Sequence, residues 1–158
     1  MHFFKIFGAG VILACGIFAG ILFAAYERRR VRQAEGFLSL LRLIRLQIDC
    51  FSMPVSRILT TCDRDVLDAC GVNAPPGDFK TLLLEARLYL SEEICRLLTD
   101  FAARLGGSYR EEQLRCCDYY IARLAPYCDA LRTEQPKRER MALVLPPALS
   151  VALILLLI

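Results

Sequence analysis

Two apolar segments, residues 6–26 and 141–158, close the ends of this chain, and every formally charged side chain except Lys5 lies between them. At a helical rise of about 1.5 Å per residue, the 21 residues of the first segment can cross a hydrocarbon core about 30 Å thick, and the 18 of the second barely reach across it. Ser150 is the one polar residue in the second segment, and its hydroxyl can bond back to a helix carbonyl.

The flanks that face the interior of the sequence are basic: Arg28, Arg29, Arg30 and Arg32 follow the first segment, and Lys137, Arg138 and Arg140 precede the second. The outer side offers only Lys5 and the α-amino group. The positive-inside rule therefore predicts residues 27–140 in the cytoplasm, with both short termini across the bilayer. A cleaved signal peptide fits the first segment poorly, because its apolar run is long, no Ala-x-Ala precedes a cut, and an arginine cluster follows directly. Pro146-Pro147 leaves only residues 148–158 beyond it, so the second segment is read as a kinked full span rather than a peripheral tail.

Gly8, Ile12, Gly16, Gly20 and Ala24 fall at four-residue intervals along one helical face. Gly16 and Gly20 are the candidate helix-packing residues in the membrane, with segment 141–158 as the expected neighbour. Neither span carries an ionisable side chain, so the usual mark of an ion or proton path is missing.

With Lys5 set aside, 19 Lys and Arg face 17 Asp and Glu in the middle region, a balance that argues against an extended nucleic-acid footprint. The periodicity there is helical throughout. Phe37, Leu38, Leu41, Ile44 and Ile48 mark an inward face over 28–50, widened by Leu40, Leu43 and Leu46, and no turn signal separates this helix from the first span. Ser52 as cap with Pro54 in the first turn predicts a short helix to about Thr61, and Asp63 caps another over 63–69. Residues 71–78, with Pro75-Pro76-Gly77, form the clear loop. Asp78 is expected to cap one long helix reaching Arg104, which Gly106-Gly107 ends. Ser108 and Glu111 match a capping box that opens a last helix, which Pro126 is expected to kink or divide.

The sequence supplies little catalytic chemistry. The single histidine is His2, outside the middle region, and no phosphate-binding glycine motif is present, so no cofactor is expected. The eight cysteines form no Cys-x-x-Cys pair and are read mainly as small buried residues, with Cys50, Cys62 and Cys70 the one conceivable soft-metal group. Glu85 and Glu92 could share a face, but Glu92 with Arg96 four residues on reads as an ordinary surface pair. Asp63, Asp65 and Asp68 lack the calcium-loop pattern.

The stretch 8–16, Arg28-Arg29-Arg30-Val31-Arg32-Gln33 and Leu38-Ser39-Leu40-Leu41-Arg42-Leu43-Ile44-Arg45-Leu46-Gln47-Ile48 resemble the opening of the stage III sporulation protein AB family. Pro54, Phe101-Ala102-Ala103-Arg104-Leu105-Gly106, Gln113 and the terminal Ala152-Leu153-Ile154-Leu155-Leu156-Leu157-Ile158 continue the likeness. Val144-Leu145-Pro146-Pro147 departs from it where glycine-rich sequence is expected. The resemblance implies an all-α protein with a cytoplasmic helical hairpin or bundle between N- and C-terminal transmembrane helices, similar to the platform domain of type II secretion machines. It also implies a noncatalytic platform in the mother-cell-to-forespore channel of stage III endospore formation, in the mother-cell membrane around the forespore. The implied partners are other channel subunits, a secretion-type ATPase and the lipid bilayer, with no nucleic acid.

Arg42, Arg45 and Arg57 are the candidate interface residues, because arginine suits charge-assisted contact with a partner's carboxylates. Two rival readings differ in class: a membrane-bound enzyme using Asp or Glu on lipid headgroups, which requires a carboxylate pocket near the bilayer, and a small pore or transport subunit, which the uncharged spans do not favour.

Overall fold

The computed structural model describes residues 2–51, 53–106 and 109–157, and among these every regular element is a helix. They are α1 (His2–Phe51), α2 (Val55–Thr60), α3 (Arg64–Cys70), α4 (Phe79–Glu85), α5 (Glu92–Arg104) and α6 (Arg110–Leu157). Two compact units result: Met1–Arg29 with Arg132–Ile158, and Arg30–Leu131. The long helices α1 and α6 each contribute to both.

The Arg30–Leu131 unit is a helical bundle with a conventional apolar core. From α1 it buries Val31, Ala34, Phe37, Leu38, Leu41, Ile44 and Ile48, a repeat of three and four that keeps one face inward. Leu40 joins the core, but Leu46 is exposed, so the inward face is narrower than the sequence alone suggests. The centre is a run of edge-to-face rings from four elements: Phe37 to Phe79 at 6.5 Å, Phe79 to Phe101 at 5.1 Å, and Phe101 to Tyr120 at 5.2 Å. Cys70, Cys117 and Cys128 fill small gaps around it.

Local signals set most helix ends. The Asp63 carboxylate accepts from the Asp65 N–H at α3, and Asp78 Oδ1 accepts from the Thr81 N–H at 2.6 Å at α4. Gly71 ends α3 at φ +92°, in the left-handed region that other residues enter only with strain. Pro54 stands at the cap of α2 instead of inside its first turn, so the helix starts two residues later than expected. The expected caps Ser52 and Ser108, and the stop at Gly107, lie outside the described residues. At the far end of α1, the carbonyls of the last turn are met from α6: Arg110 Nε donates to Ile48 O at 3.3 Å, and its Nη2 to Asp49 O and, at 2.8 Å, to Asp49 Oδ1.

Two expectations require correction. The long helix from Asp78 to Arg104 is broken: α4 stops at Glu85, Ala86 turns extended, and α5 begins at Glu92 behind Ser91. The break is held by Gln33 of α1, a buried side chain 2 % exposed. Its Nε2 donates to Arg87 O at 3.0 Å and Cys70 O at 2.9 Å, while its Oε1 accepts from the Tyr89 N–H at 2.7 Å. Of the backbone groups a continuous helix would have paired, Arg87 O and the Tyr89 N–H are satisfied by this carboxamide and the Ser91 N–H by the Tyr127 hydroxyl. Second, of the two effects expected of Pro126, division is absent, because α6 runs unbroken through Pro126, Pro136, Pro146 and Pro147. Each proline removes one N–H from the ladder without ending the helix.

The other unit inverts the rule of the bundle. Phe7, Phe18, Leu22, Phe23, Val144, Leu145 and Leu149 point outward, while the buried positions are the small Gly16, Gly20, Ala24, Ala142 and Ser150, joined by Glu27 at the polar end. Such a surface is unsuited to water and well suited to lipid, where small residues let helices approach closely. The helices containing residues 7–51 and 110–156 are both long and apolar enough to cross a membrane.

Candidate functional site

The packing seam of the apolar unit follows from single atoms. Gly16 lies so close to α6 that a Cβ there would meet the Ser150 hydroxyl and stand 2.9 Å from Pro146 O. One turn on, a Cβ at Gly20 would stand 2.6 Å from Ala142 O. That oxygen is the one left without its helical donor because residue 146 is a proline. Ser150 Oγ donates to Pro146 O at 3.0 Å, so the hydroxyl is satisfied within its own helix. Ala142, Pro146 and Ser150 thus form, at four-residue spacing, the row that meets the glycine row.

At the polar end of the same unit, Arg28 Nε donates to Glu139 Oε1 at 3.0 Å, and Gln135 Nε2 donates to the same oxygen at 2.8 Å. These two bonds, Gln135 first, hold the Glu139 carboxyl below the usual range. Arg138 bonds Glu134 at 2.7 Å and lies 3.9 Å from Glu27. The basic flank is therefore partly neutralised by its own carboxylates.

In the bundle, the three candidate arginines differ in their surroundings. Arg45 is held by Asp118 of α6, with Nε to Oδ1 at 2.5 Å and Asp49 3.8 Å away, so its charge is committed within the chain. Asp118 raises the Arg45 pKa further, first through the hydrogen bond and then through its charge. Arg42 and Arg57 are exposed and hold no ion pair with a described residue. Arg42 stands one turn before the exposed Leu46, and Cys50 follows one turn later, giving α1 an outward row with mixed chemistry. Arg57 lies in α2, on a separate element.

Reactive chemistry does not gather anywhere in the described structure. Among the described residues no three His, Cys, Asp or Glu side chains are grouped to hold a metal. Glu85 and Glu92 are separated by the helix break, and Glu92 pairs with Arg96 at 2.6 Å on the open surface. Burial pushes the thiols of Cys70 up to about 12 and of Cys117 and Cys128 up to about 11, well away from a reactive thiolate. Cys15 and Cys50 are exposed and Cys62, Cys95 and Cys116 half-buried, so three of the eight cysteines, not most of them, occupy buried positions.

Sequence reasoning missed Gln33, Asp118 and Gly36. Gly36 is a contact point between α1 and α3, where a Cβ would stand 2.8 Å from the Ala69 Cβ. Asp118 is an exposed acidic residue next to the buried Cys117 and gives no local sign of its partner, whereas a polar residue amid the apolar repeat of α1 was the hint of Gln33.

These features define a class: a helical bundle carried on two long helices whose apolar ends pair through small residues, with no assembled catalytic centre among the described residues. The family profile described as stage III sporulation protein AB matches residues 5–71 and 80–158, and the chain belongs to that family. It is accordingly a noncatalytic membrane component of sporulation, taking part in a sporulation channel complex. No curated protein and no solved structure matched the chain.

Proposed function

We propose that this protein is a platform in the mother-cell-to-forespore channel, anchored at both ends in the mother-cell membrane around the forespore with the Arg30–Leu131 bundle in the cytoplasm. The basic residues Arg28, Arg29, Arg30, Arg32, Lys137 and Arg140 beside the bundle support that orientation under the positive-inside rule. The proposed role is that of the platform domain in type II secretion machines: the bundle receives a secretion-type ATPase, and the membrane helices meet other channel subunits.

The observation that carries the contact surface is the exposed row of Arg42 and Leu46 on the outward face of the part of α1 that lies in the bundle. An unpaired guanidinium beside an exposed apolar side chain suits a partner presenting carboxylates around a hydrophobic spot. Arg57 extends the candidate surface to α2. Arg45 serves instead to brace α1 on α6 through Asp118, and contributes to the interface by shaping it.

The experiment is cross-linking and recovery of the full-length chain from sporulating cells, with identification of partners by mass spectrometry. Wild type is expected to recover an ATPase together with channel subunits. Arg42→Glu and Arg57→Glu should reduce ATPase recovery at unchanged membrane content. Wild-type recovery of neither class, with expression and cross-linking verified, overturns the platform reading. Unchanged recovery by both variants removes these arginines from the interface.

A further inference from the structure

A cleft of about 750 Å³ opens on the apolar unit, between Ala19 and Phe23 of α1 and Met141, Leu145 and Leu149 of α6. Its polar lining is confined to one end, at Glu134, Lys137 and Arg138. From Lys137 to Leu149 the helix advances about 18 Å at about 1.5 Å per residue, so the cleft has the length of an extended hydrocarbon chain. At the polar end the Glu134 carboxylate is occupied by Arg138 at 2.7 Å, whereas Lys137 is exposed and holds no ion pair with a described residue. Arg140, three residues after Lys137, is exposed as well. The shape and polarity are those of an amphiphile with one long apolar tail and an anionic head.

We propose that this cleft binds an acyl chain of an anionic glycerophospholipid, with Lys137 holding the phosphate. The inference rests on the apolar unit lying in the bilayer. A second copy of the chain would set its own Lys137 against this one, while an anionic headgroup complements it. Lysine meets phosphate as a point charge, which suits a mobile headgroup.

The sequence has no tryptophan, so Phe23→Trp places a single indole reporter in the cleft, and Ile21→Trp places one at nearly the same depth on the other side of α1. Full-length variants are reconstituted in phosphatidylcholine vesicles containing, as a minor component, phosphatidylglycerol or phosphatidylcholine with brominated chains. Brominated phosphatidylglycerol is expected to quench Phe23→Trp with about fivefold higher apparent affinity than its zwitterionic counterpart, the factor equivalent to about 1 kcal/mol per basic residue at a membrane surface. Ile21→Trp should show no such preference, and adding Lys137→Glu should abolish the preference of Phe23→Trp. Equal preference at both reporters, or none at either, overturns the site in favour of bulk lipid contact. Quenching confined to Ile21→Trp overturns it in favour of a protein neighbour covering the cleft. If neither reporter is quenched by either lipid, the unit is outside the bilayer, and the membrane-spanning reading falls with the proposal.

Discussion

Gln33 shows how much one side chain determines. It sits in the apolar repeat of α1 and satisfies three backbone groups, with partners 37, 54 and 56 residues away in sequence. Gln33→Leu keeps the volume but strands two carbonyls and an N–H, each worth about 1–3 kcal/mol when buried unpaired. Thermal unfolding of the full-length variant in detergent should therefore show a clear drop in Tm, whereas wild-type stability would mean water reaches the break. The buried thiols give a pH signature. Their native pKa values, about 12 for Cys70 and about 11 for Cys117 and Cys128, lie above the ordinary 9.0. Native thiols thus keep protons that the unfolded chain releases: this contribution is fully present below pH about 9 and is lost as pH rises toward 11–12. Denaturant midpoints should fall on that alkaline side, and Cys70→Ala should flatten part of the slope. The caps Asp63 and Asp78 were legible in sequence because their partners lie two and three residues away; Gln33 was not, because nothing local names Cys70, Arg87 or Tyr89.

Helices and their faces were easier to read than helix breaks. The apolar period continues through Leu83, Ala86 and Leu90, so residues 78–104 looked like one helix, and only a tertiary side chain reveals the interruption. Conversely, Pro126 signals a local defect that the surrounding helix absorbs. Close approaches are sharper tests of elements than propensity. Gly36 brings α1 against α3, and Gly36→Val would drive a branched side chain into Ala69 and the Cys70 N–H. Overpacking of this kind typically costs about 1–3 kcal/mol. Chemical denaturation should show that loss, and it should exceed the loss for Gly77→Val, where a Cβ meets open space. The Gly16 and Gly20 pattern was readable as a smooth helix face, but its match to a row with a proline-freed carbonyl at Ala142 could not be read from either segment alone.

At the scale of the whole molecule, the two-ended hydropathy pattern and the charge between the ends already limit the chain to a membrane protein with a helical middle. The structure adds the contrast between the units: large side chains inward around Phe37, Phe79, Phe101 and Tyr120, and small ones inward around Gly16, Gly20 and Ala142. Water drives the first arrangement and close helix approach in lipid the second. The candidate interface was less legible, because sequence shows that Arg42, Arg45 and Arg57 are charged but not that Asp118 occupies Arg45.

The most direct measurement is membrane-impermeant maleimide labelling of the full-length chain in the plasma membrane of vegetative bacterial cells, where the outer face is open to reagent. The exposed native Cys50 reports the bundle, and His2→Cys and Leu157→Cys, each made separately, report the two ends. Both terminal cysteines are expected to label in intact cells, and Cys50 only after permeabilisation. Labelling of Cys50 in intact cells, or protection of either terminal cysteine until permeabilisation, would contradict a bundle held in the cytoplasm by two complete spans.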